Sequence, residues 1–203
     1  MRKACICKAM KTLYLSAEEL NMLDALRRKS EETYFHSRNV SKLAVALGIS
    51  CRLSWEAIQI LRMGGLLHDV GKLKVPSAIL NKKGSLNADE MREMRRHSAY
   101  GEMLLRGTAG VRDESVLNIV RHHHEKIGGK GYPDGFPENH LLVQIVTVAD
   151  IYDALRSDRC YRKGYDREKV FAILYADNGI NRRIVDRLYT VSGPALRNAS
   201  GFD

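Results

Sequence analysis

The 203-residue sequence contains no run of apolar side chains that approaches the roughly 18 to 20 residues needed to cross a bilayer. Its first residues also lack the continuous apolar segment of a secretory signal peptide. Glycine and proline contribute only 16 and 4 residues, so the composition excludes collagen-like and low-complexity chains. We therefore expect a globular protein that lies in the cytoplasm and has no membrane partner.

Cysteine is scarce, with only four residues, namely Cys5, Cys7, Cys51 and Cys160. Cys5 and Cys7 lie close together, but no second pair completes a zinc knuckle. We expect reduced thiols and interpret the first pair as a weak or adventitious metal site at most.

Strand patterns are also missing, since no stretch alternates apolar and polar residues between turn signals. Nearly every segment carries helical periodicity instead. The sequence predicts an all-α, single-domain bundle of about seven helices. We place this domain at residues 16–192, after an N-terminal segment 1–15 and before a C-terminal tail 193–203.

Capping residues and apolar spacing give the expected helix boundaries. A first helix begins at a capping box after Ser16, and a second spans residues 32–47 and stops at Gly48. A third spans 55–67, a fourth begins at Asn87 and includes His97, and a fifth begins near Asp113. A buried helix over 142–155 and two short helices near 167–176 and 181–191 complete the set.

Basic residues outnumber acidic ones by 33 to 24, which gives a net charge of +9. This excess favours an anionic partner, such as nucleic acid, an acidic membrane face or a phosphorylated small molecule. The basic residues are scattered along many segments and form no tract with interleaved aromatics. We therefore expect no dedicated DNA-binding face.

His68 and Asp69 form an adjacent imidazole and carboxylate at the end of an apolar helix. Both groups bind metals, and a carboxylate can bridge two ions, although an isolated His-Asp pair is more often a surface or capping pair. Glu32 and His36 are four residues apart and therefore share a helix face. Other expected helices carry His97, His123 and His124.

Asp150 lies within the apolar run Ile145–Asp150, where an unpaired charge would cost several kcal/mol. Metal coordination would supply a partner for this carboxylate. A salt bridge or a helix cap would serve equally well, so Asp150 by itself leaves these alternatives open.

Taken in order, these motifs resemble the HD-GYP phosphodiesterases, a bacterial branch of the HD superfamily. The resemblance covers roughly residues 36–162 and rests on several ordered motifs. They are His36-Ser37-Arg38, Gly65-Leu66-Leu67-His68-Asp69-Val70-Gly71-Lys72, His97 with Gly101, His123-His124-Glu125, Gly131-Tyr132-Pro133, and Val148-Ala149-Asp150-Ile151-Tyr152-Asp153-Ala154-Leu155.

The resemblance implies roles for individual positions. The implied metal ligands are His36, His68, Asp69, His97, His123, His124 and Asp150, with Asp69 as the bridge. Glu32 matches the extra carboxylate of members with a third ion. Lys72 matches a catalytic lysine beside the metals, and Arg159 and Arg162 match positions that contact substrate phosphate. The loop Gly131-Tyr132-Pro133 is implicated in binding a protein partner.

The function implied by the resemblance is hydrolysis of cyclic di-GMP to pGpG, GMP or both. Two or three divalent ions would activate a bridging water, with iron as first choice and manganese as second. The alternatives are a cyclic GMP-AMP hydrolase, a non-catalytic cyclic-dinucleotide receptor, another HD hydrolase acting on a nucleotide or (p)ppGpp, and a helical nucleic-acid-binding module. A homodimer is a further expectation.

Two features depart from the family's pattern. Gly128 replaces an acidic or amide residue ahead of the loop, and the stretch between Pro133 and Asp150 is about two residues shorter than is typical. Both departures concern the loop and its substrate contacts, whereas every implied metal position is present.

Overall fold

A computed structural model describes residues 15–108, 113–158 and 163–193. This part of the chain contains nine helices of at least eight residues and no strand, which confirms the all-α prediction. The helices are α1 (Ala17–Lys29), α2 (Glu31–Ser50), α3 (Trp55–Leu67), α4 (Ala88–Arg95), α5 (His97–Arg106), α6 (Glu114–His122), α7 (Leu141–Arg156), α8 (Arg167–Ala176) and α9 (Arg182–Val191). A 3-10 helix, Val70–Leu73, and a single helical turn, Ser77–Leu80, lie between α3 and α4.

Side-chain caps start several of the helices where the sequence places them. Ser16 accepts the backbone N–H of Glu19, and the Glu19 carboxylate accepts the backbone N–H of Ser16 at 2.7 Å. Asn87 and Glu90 form the same capping box at α4, and Ser54 caps α3. These caps satisfy amides that have no partner within the helix.

Helix α7 lies in the middle of the bundle and packs against α2, α3, α6, α8 and α9. Its Ile145, Val146 and Val148 are fully buried, as an apolar helix in a core requires. One cluster of buried apolar residues runs from Leu23 to Leu188. The described helices therefore share a single hydrophobic core.

The predicted end of the second helix was wrong, because α2 continues through Gly48 to Ser50. A Cβ atom at Gly48 would lie 2.7 Å from Cδ1 of Leu61 on α3. Gly48 therefore permits close packing of α2 against α3 and does not end the helix.

The predicted fourth helix is two helices, α4 and α5, separated at Arg96. His97 starts the second of them, and its Nδ1 donates to the Met94 carbonyl oxygen at 2.8 Å. This split helps to bring the number of described helices to nine instead of about seven.

Several predictions concern residues outside the described part of the chain. These are Cys5, Cys7, Cys160, Arg159 and Arg162, with most of the N-terminal segment and the C-terminal tail. Among the described residues, none of the helices is long and apolar enough to span a membrane.

Candidate metal centre

His68 and Asp69 lie where α3 ends and the 3-10 helix begins. The 3-10 helix packs directly on the start of α5, and a Cβ atom at Gly71 would lie 1.8 Å from the His97 carbonyl oxygen. Only glycine permits this approach. Gly71 therefore allows His97, the first residue of α5, to lie beside Asp69.

Asp69 is almost completely buried and presents its two oxygens to different neighbours. Its Oδ1 is 3.4 Å from Nε2 of His97, and its Oδ2 is 3.4 Å from Nε2 of His68. Lys72 donates to the same Oδ2 at 2.7 Å. Burial acts to raise the pKa of Asp69, but the Lys72 ammonium holds it well below its usual range, so the carboxylate is ionised.

Three buried imidazoles, those of His68, His97 and His123, share one arrangement. Each donates from Nδ1 to the backbone carbonyl three residues earlier, at 2.8, 2.8 and 2.9 Å respectively. Burial lowers the pKa of His97 to about 4 and that of His123 well below its usual value. In the neutral rings of His97 and His123 Nδ1 carries the proton, so Nε2 is an acceptor.

The Nε2 atoms of His68, His97 and His123 lie close to one another and lack hydrogen-bond donors among the described residues. His68 Nε2 is buried and has no hydrogen-bond partner, while the Nε2 atoms of His97 and His123 lie 3.2 Å apart. Two acceptors at this distance repel each other unless a cation lies between them. The donor set therefore fits metal ions, which bind neutral imidazole nitrogen and ionised carboxylate.

The imidazole of His36 on α2 lies between two carboxylates of α7. Its Nε2 donates to Asp150 Oδ1 at 2.9 Å, and its Nδ1 donates to Asp153 Oδ2 at 2.7 Å. Burial acts to lower the pKa of His36, but the two carboxylates raise it to about 9. Asp150 therefore has the ion-pair partner that its burial requires, and a metal at this position would replace the proton on Nε2.

The seven ligands that the resemblance implies in addition to Glu32 fall into compact groups, and within each group the ligand atoms lie within 4.8 Å of one another. The groups are His36 with His68 and Asp69, His97 with His123 and His124, and His68 with His123 and Asp150. Glu32 is exposed on α2 and lines the adjoining cavity, but it belongs to none of these groups of described residues.

Comparison with known proteins matches residues 21–183 to the model of the HD domain. The chain belongs to the HD domain family. Recognition of this family from the ordered motifs is thereby confirmed.

Curated relatives of this HD domain include two cyclic-dinucleotide phosphodiesterases. Cyclic di-GMP phosphodiesterase PA4108 of Pseudomonas aeruginosa is 38% identical over 156 residues, which is 76% of this chain and 37% of that protein. The 3'3'-cGAMP-specific phosphodiesterase 3 of Vibrio cholerae is 38% identical over 149 residues, 72% of this chain and 32% of that protein. The chain thus spans about a third of the length of these relatives.

Among solved structures, the HD domain of Listeria monocytogenes phosphodiesterase PgpH, in complex with cyclic-di-AMP, aligns with a TM-score of 0.66. The alignment covers 90% of this chain and 98% of that domain at 18% identity. At this identity the likeness concerns the fold alone.

The loop after α6 in this HD domain is anchored by Glu125, which is 2% exposed. One of its carboxylate oxygens accepts the backbone N–H groups of Asp134 at 2.7 Å and Gly135 at 2.9 Å. Gly129 and Gly135 take φ values of +68° and +70°, which favour glycine. The loop thus has fixed contacts despite Gly128 and its shorter length.

Tyr132 turns its ring toward the centre and stacks on His124, with ring centroids 4.6 Å apart and planes inclined by 26°. The Arg95 guanidinium lies 5.3 Å from the same ring centroid. These contacts pack the Tyr132 ring against the candidate centre.

Asp153 is the site residue that sequence reasoning missed, although it lies within a quoted motif. It is buried and fixes the Nδ1 side of His36. The available signal was its spacing, because residues three apart on α7 share a helix face with Asp150.

The cluster opens into a cavity of about 1080 Å³. Lys72, Lys126 and Tyr132 lie in its lining, together with the segment 79–86 that leads to α4. A substrate therefore has access to the candidate metal centre from this side.

Proposed function

We propose that this HD domain is a metal-dependent phosphodiesterase that hydrolyses cyclic di-GMP to pGpG, GMP or both. The observation that carries the proposal is the pair of inward-facing acceptor nitrogens of His97 and His123, 3.2 Å apart beside the ionised Asp69. The cavity next to these atoms and the activity named for the Pseudomonas relative support the same substrate class.

His36, His68 and Asp150 would hold one ion and His97, His123 and His124 another, with Asp69 between them. The two oxygens of Asp69 face different imidazoles, which supports a bridging role. Mixed nitrogen and oxygen donors without thiolate favour iron, with manganese as second choice. Glu32 lines the cavity four residues before His36 and is the proposed ligand of a third ion.

When bound, the ions would polarise a phosphoryl oxygen and acidify a water molecule for attack at neutral pH. The protein's own residues would prepare for this chemistry. Asp69 is held ionised by Lys72, and the buried rings of His97 and His123 are held neutral, so these three residues are in their metal-binding forms. The Lys72 ammonium, and with it Arg159 and Arg162, would complement negative charge on the phosphate.

Cyclic GMP-AMP is the second candidate substrate, because the Vibrio relative of similar identity is named for that activity. A receptor that binds without hydrolysis would share the cavity and lack turnover. The predicted protein partner at Gly131-Tyr132-Pro133, the homodimer and the cytoplasmic location stay predictions.

A direct comparison of substrates tests the proposal. The full 203-residue chain, loaded anaerobically with Fe²⁺ or Mn²⁺, is incubated with cyclic di-GMP and with 3'3'-cGAMP, and products are separated by chromatography. We expect pGpG or GMP, with higher kcat/KM for cyclic di-GMP. Higher kcat/KM for cyclic GMP-AMP would favour the second candidate, and turnover of neither would refute the phosphodiesterase proposal.

Two variants separate metal-dependent turnover from contamination. His68→Ala should lower the rate at least about a hundredfold, the range observed when a catalytic electrostatic group is lost. His140→Ala is the matched control, because His140 is exposed and belongs to none of the described ligand groups. Equal loss in both variants would contradict the assigned centre.

A further inference from the structure

The cavity extends well beyond the candidate metal centre. Its volume of about 1080 Å³ reaches the upper end of the range of roughly 300 to 1,000 Å³ found for small-molecule sites. A small phosphodiester would occupy only the end beside Asp69. The remaining space lies between the segment 79–86 and α4, and we call it the outer lobe.

Apolar side chains line the outer lobe, among them Leu86, Met91 and Met94. Met91 is 40% exposed, so it presents apolar surface to solvent on this side. Methionine side chains adapt their shape and make favourable sulfur contacts with aromatic rings. The lining therefore suits a flat aromatic group such as a nucleobase.

Lysines supply the charge around the cavity. Three of the four lining lysines pair with carboxylates at 2.7, 2.6 and 2.8 Å, namely Lys72 with Asp69, Lys82 with Glu90 and Lys126 with Asp177. Lys83 forms no ion pair with any residue in the described part of the chain. Its ammonium group is thus the lining cation that no described carboxylate offsets.

The segment 79–86 is tied to two helices through the adjacent residues Asn81 and Lys82. Lys82 donates to both Glu90 oxygens at 2.9 and 2.6 Å, which ties the segment to α4. Asn81 Nδ2 donates to the Lys29 carbonyl oxygen at 3.2 Å, which ties it to α1. A fixed lining loses less entropy when a ligand binds.

We propose that the outer lobe binds the second nucleotide of a cyclic dinucleotide, an inference that rests on the proposed function. The base would pack against Leu86, Met91 and Met94. Lys83 would pair with the phosphate that is not being hydrolysed. A cyclic dinucleotide carries two phosphates, and Lys72 beside Asp69 lies at the metal end, so the second phosphate requires another cation.

The test compares a cyclic dinucleotide with a small diester that lacks a base and a second phosphate. For the metal-loaded full chain, kcat/KM is measured for cyclic di-GMP and for bis(p-nitrophenyl) phosphate, and their ratio is taken. Lys83→Ala and Met91→Ala should each lower this ratio about tenfold, as expected when a charge-assisted contact or an apolar contact is lost. Lys42→Ala, on an exposed position of α2 outside the cavity lining, should keep the ratio within about twofold.

The outcomes separate the two proposals. An unchanged ratio in both lobe variants, with wild-type turnover of cyclic di-GMP intact, would overturn the outer-lobe inference and leave the phosphodiesterase proposal standing. If wild type cleaves the small diester but neither cleaves nor binds a cyclic dinucleotide, both the substrate proposal and the inference are wrong.

Discussion

The candidate centre depends on how single imidazoles are oriented. His68, His97 and His123 donate hydrogen bonds from Nδ1 to backbone carbonyls, which leaves Nε2 of the neutral His97 and His123 rings to accept. A buried acceptor without a partner costs about 1 to 3 kcal/mol. A metal ion bound at His68 Nε2 would give this buried atom a partner.

His36 is oriented differently, through the Asp153 carboxylate at 2.7 Å. Asp153→Asn keeps an acceptor at this position but removes the negative charge that makes the imidazole more basic. We expect metal affinity to fall about tenfold to a hundredfold, as for other partners of metal-bound histidine. Isothermal titration calorimetry with Mn²⁺ measures this metal affinity.

Asp24→Asn on α1 serves as control, because the exposed Asp24 carboxylate pairs with Arg28 of the same helix. Unchanged Mn²⁺ affinity in Asp153→Asn would mean that Asp153 does not support a ligand.

At the scale of elements, the turn that carries Lys72 is held by α1. Lys29 donates from Nζ to the carbonyl oxygens of Leu73 and Val75 at 2.8 and 2.5 Å. Lys29→Met should lower the free energy of unfolding by about 1 to 3 kcal/mol, the value of hydrogen bonds to a charged group. It should also lower kcat, because Lys72 would lose its fixed position beside Asp69.

Denaturant titration and steady-state kinetics measure the two effects of Lys29→Met. Lys29→Arg retains a cation of similar reach, so it should recover most of both losses. If Lys29→Met loses stability but keeps wild-type kcat, α1 supports the fold and not the catalytic turn.

The loop after α6 depends on one carboxylate. Glu125→Ala removes the acceptor for two backbone amides, so exchange of the Asp134 and Gly135 amide hydrogens should accelerate at least about tenfold, equivalent to roughly 1.4 kcal/mol. Glu125→Gln keeps an acceptor oxygen and should show a smaller change. Equal exchange in both variants and wild type would contradict the anchoring role.

Elements were predictable where local chemistry decides them. The capping box at Ser16 and the apolar pattern of α7 gave correct helices, and Asn87 gave the correct start of α4. The errors came from tertiary contacts, because Gly48 lies within α2 and leaves room for the Leu61 side chain of α3. The break between α4 and α5 at Arg96 has no glycine or proline that would have predicted it. At this break the His97 ring donates a hydrogen bond to the Met94 carbonyl oxygen.

The candidate site was predictable in its membership but not in its geometry. The ordered motifs named seven residues that the fold brings into compact groups. The sequence offered no means of seeing that Lys72 pairs with Asp69, that Tyr132 stacks on His124, or that Glu32 lies on the cavity lining. Those relations depend on side-chain directions, which helical spacing restricts but does not fix.

For the whole molecule, the candidate ligands come from α2, the ends of α3 and α6, the start of α5, and α7. An ion held by them would link most of the single core, so it would stabilise the folded state by mass action. Metal at about 100 times its dissociation constant should add roughly 2.7 kcal/mol, which raises Tm by about 5 to 11 °C at this size.

Thermal unfolding of chelator-treated protein, before and after Mn²⁺ is added, measures this shift. Mg²⁺ provides a comparison, because it prefers oxygen donors. An equal Tm with and without Mn²⁺ would mean that the described ligand groups do not hold the ion in the folded state.

The most direct test of the central claim is a metal titration of hydrolysis. Chelator-stripped protein receives increasing equivalents of Fe²⁺ or Mn²⁺, and the initial rate of cyclic di-GMP cleavage is recorded beside Asp69→Ala. We predict no cleavage without metal, a rise that saturates near two or three equivalents, and no recovery in Asp69→Ala. Cleavage by the stripped protein at the full rate, or equal recovery in Asp69→Ala, would contradict the account.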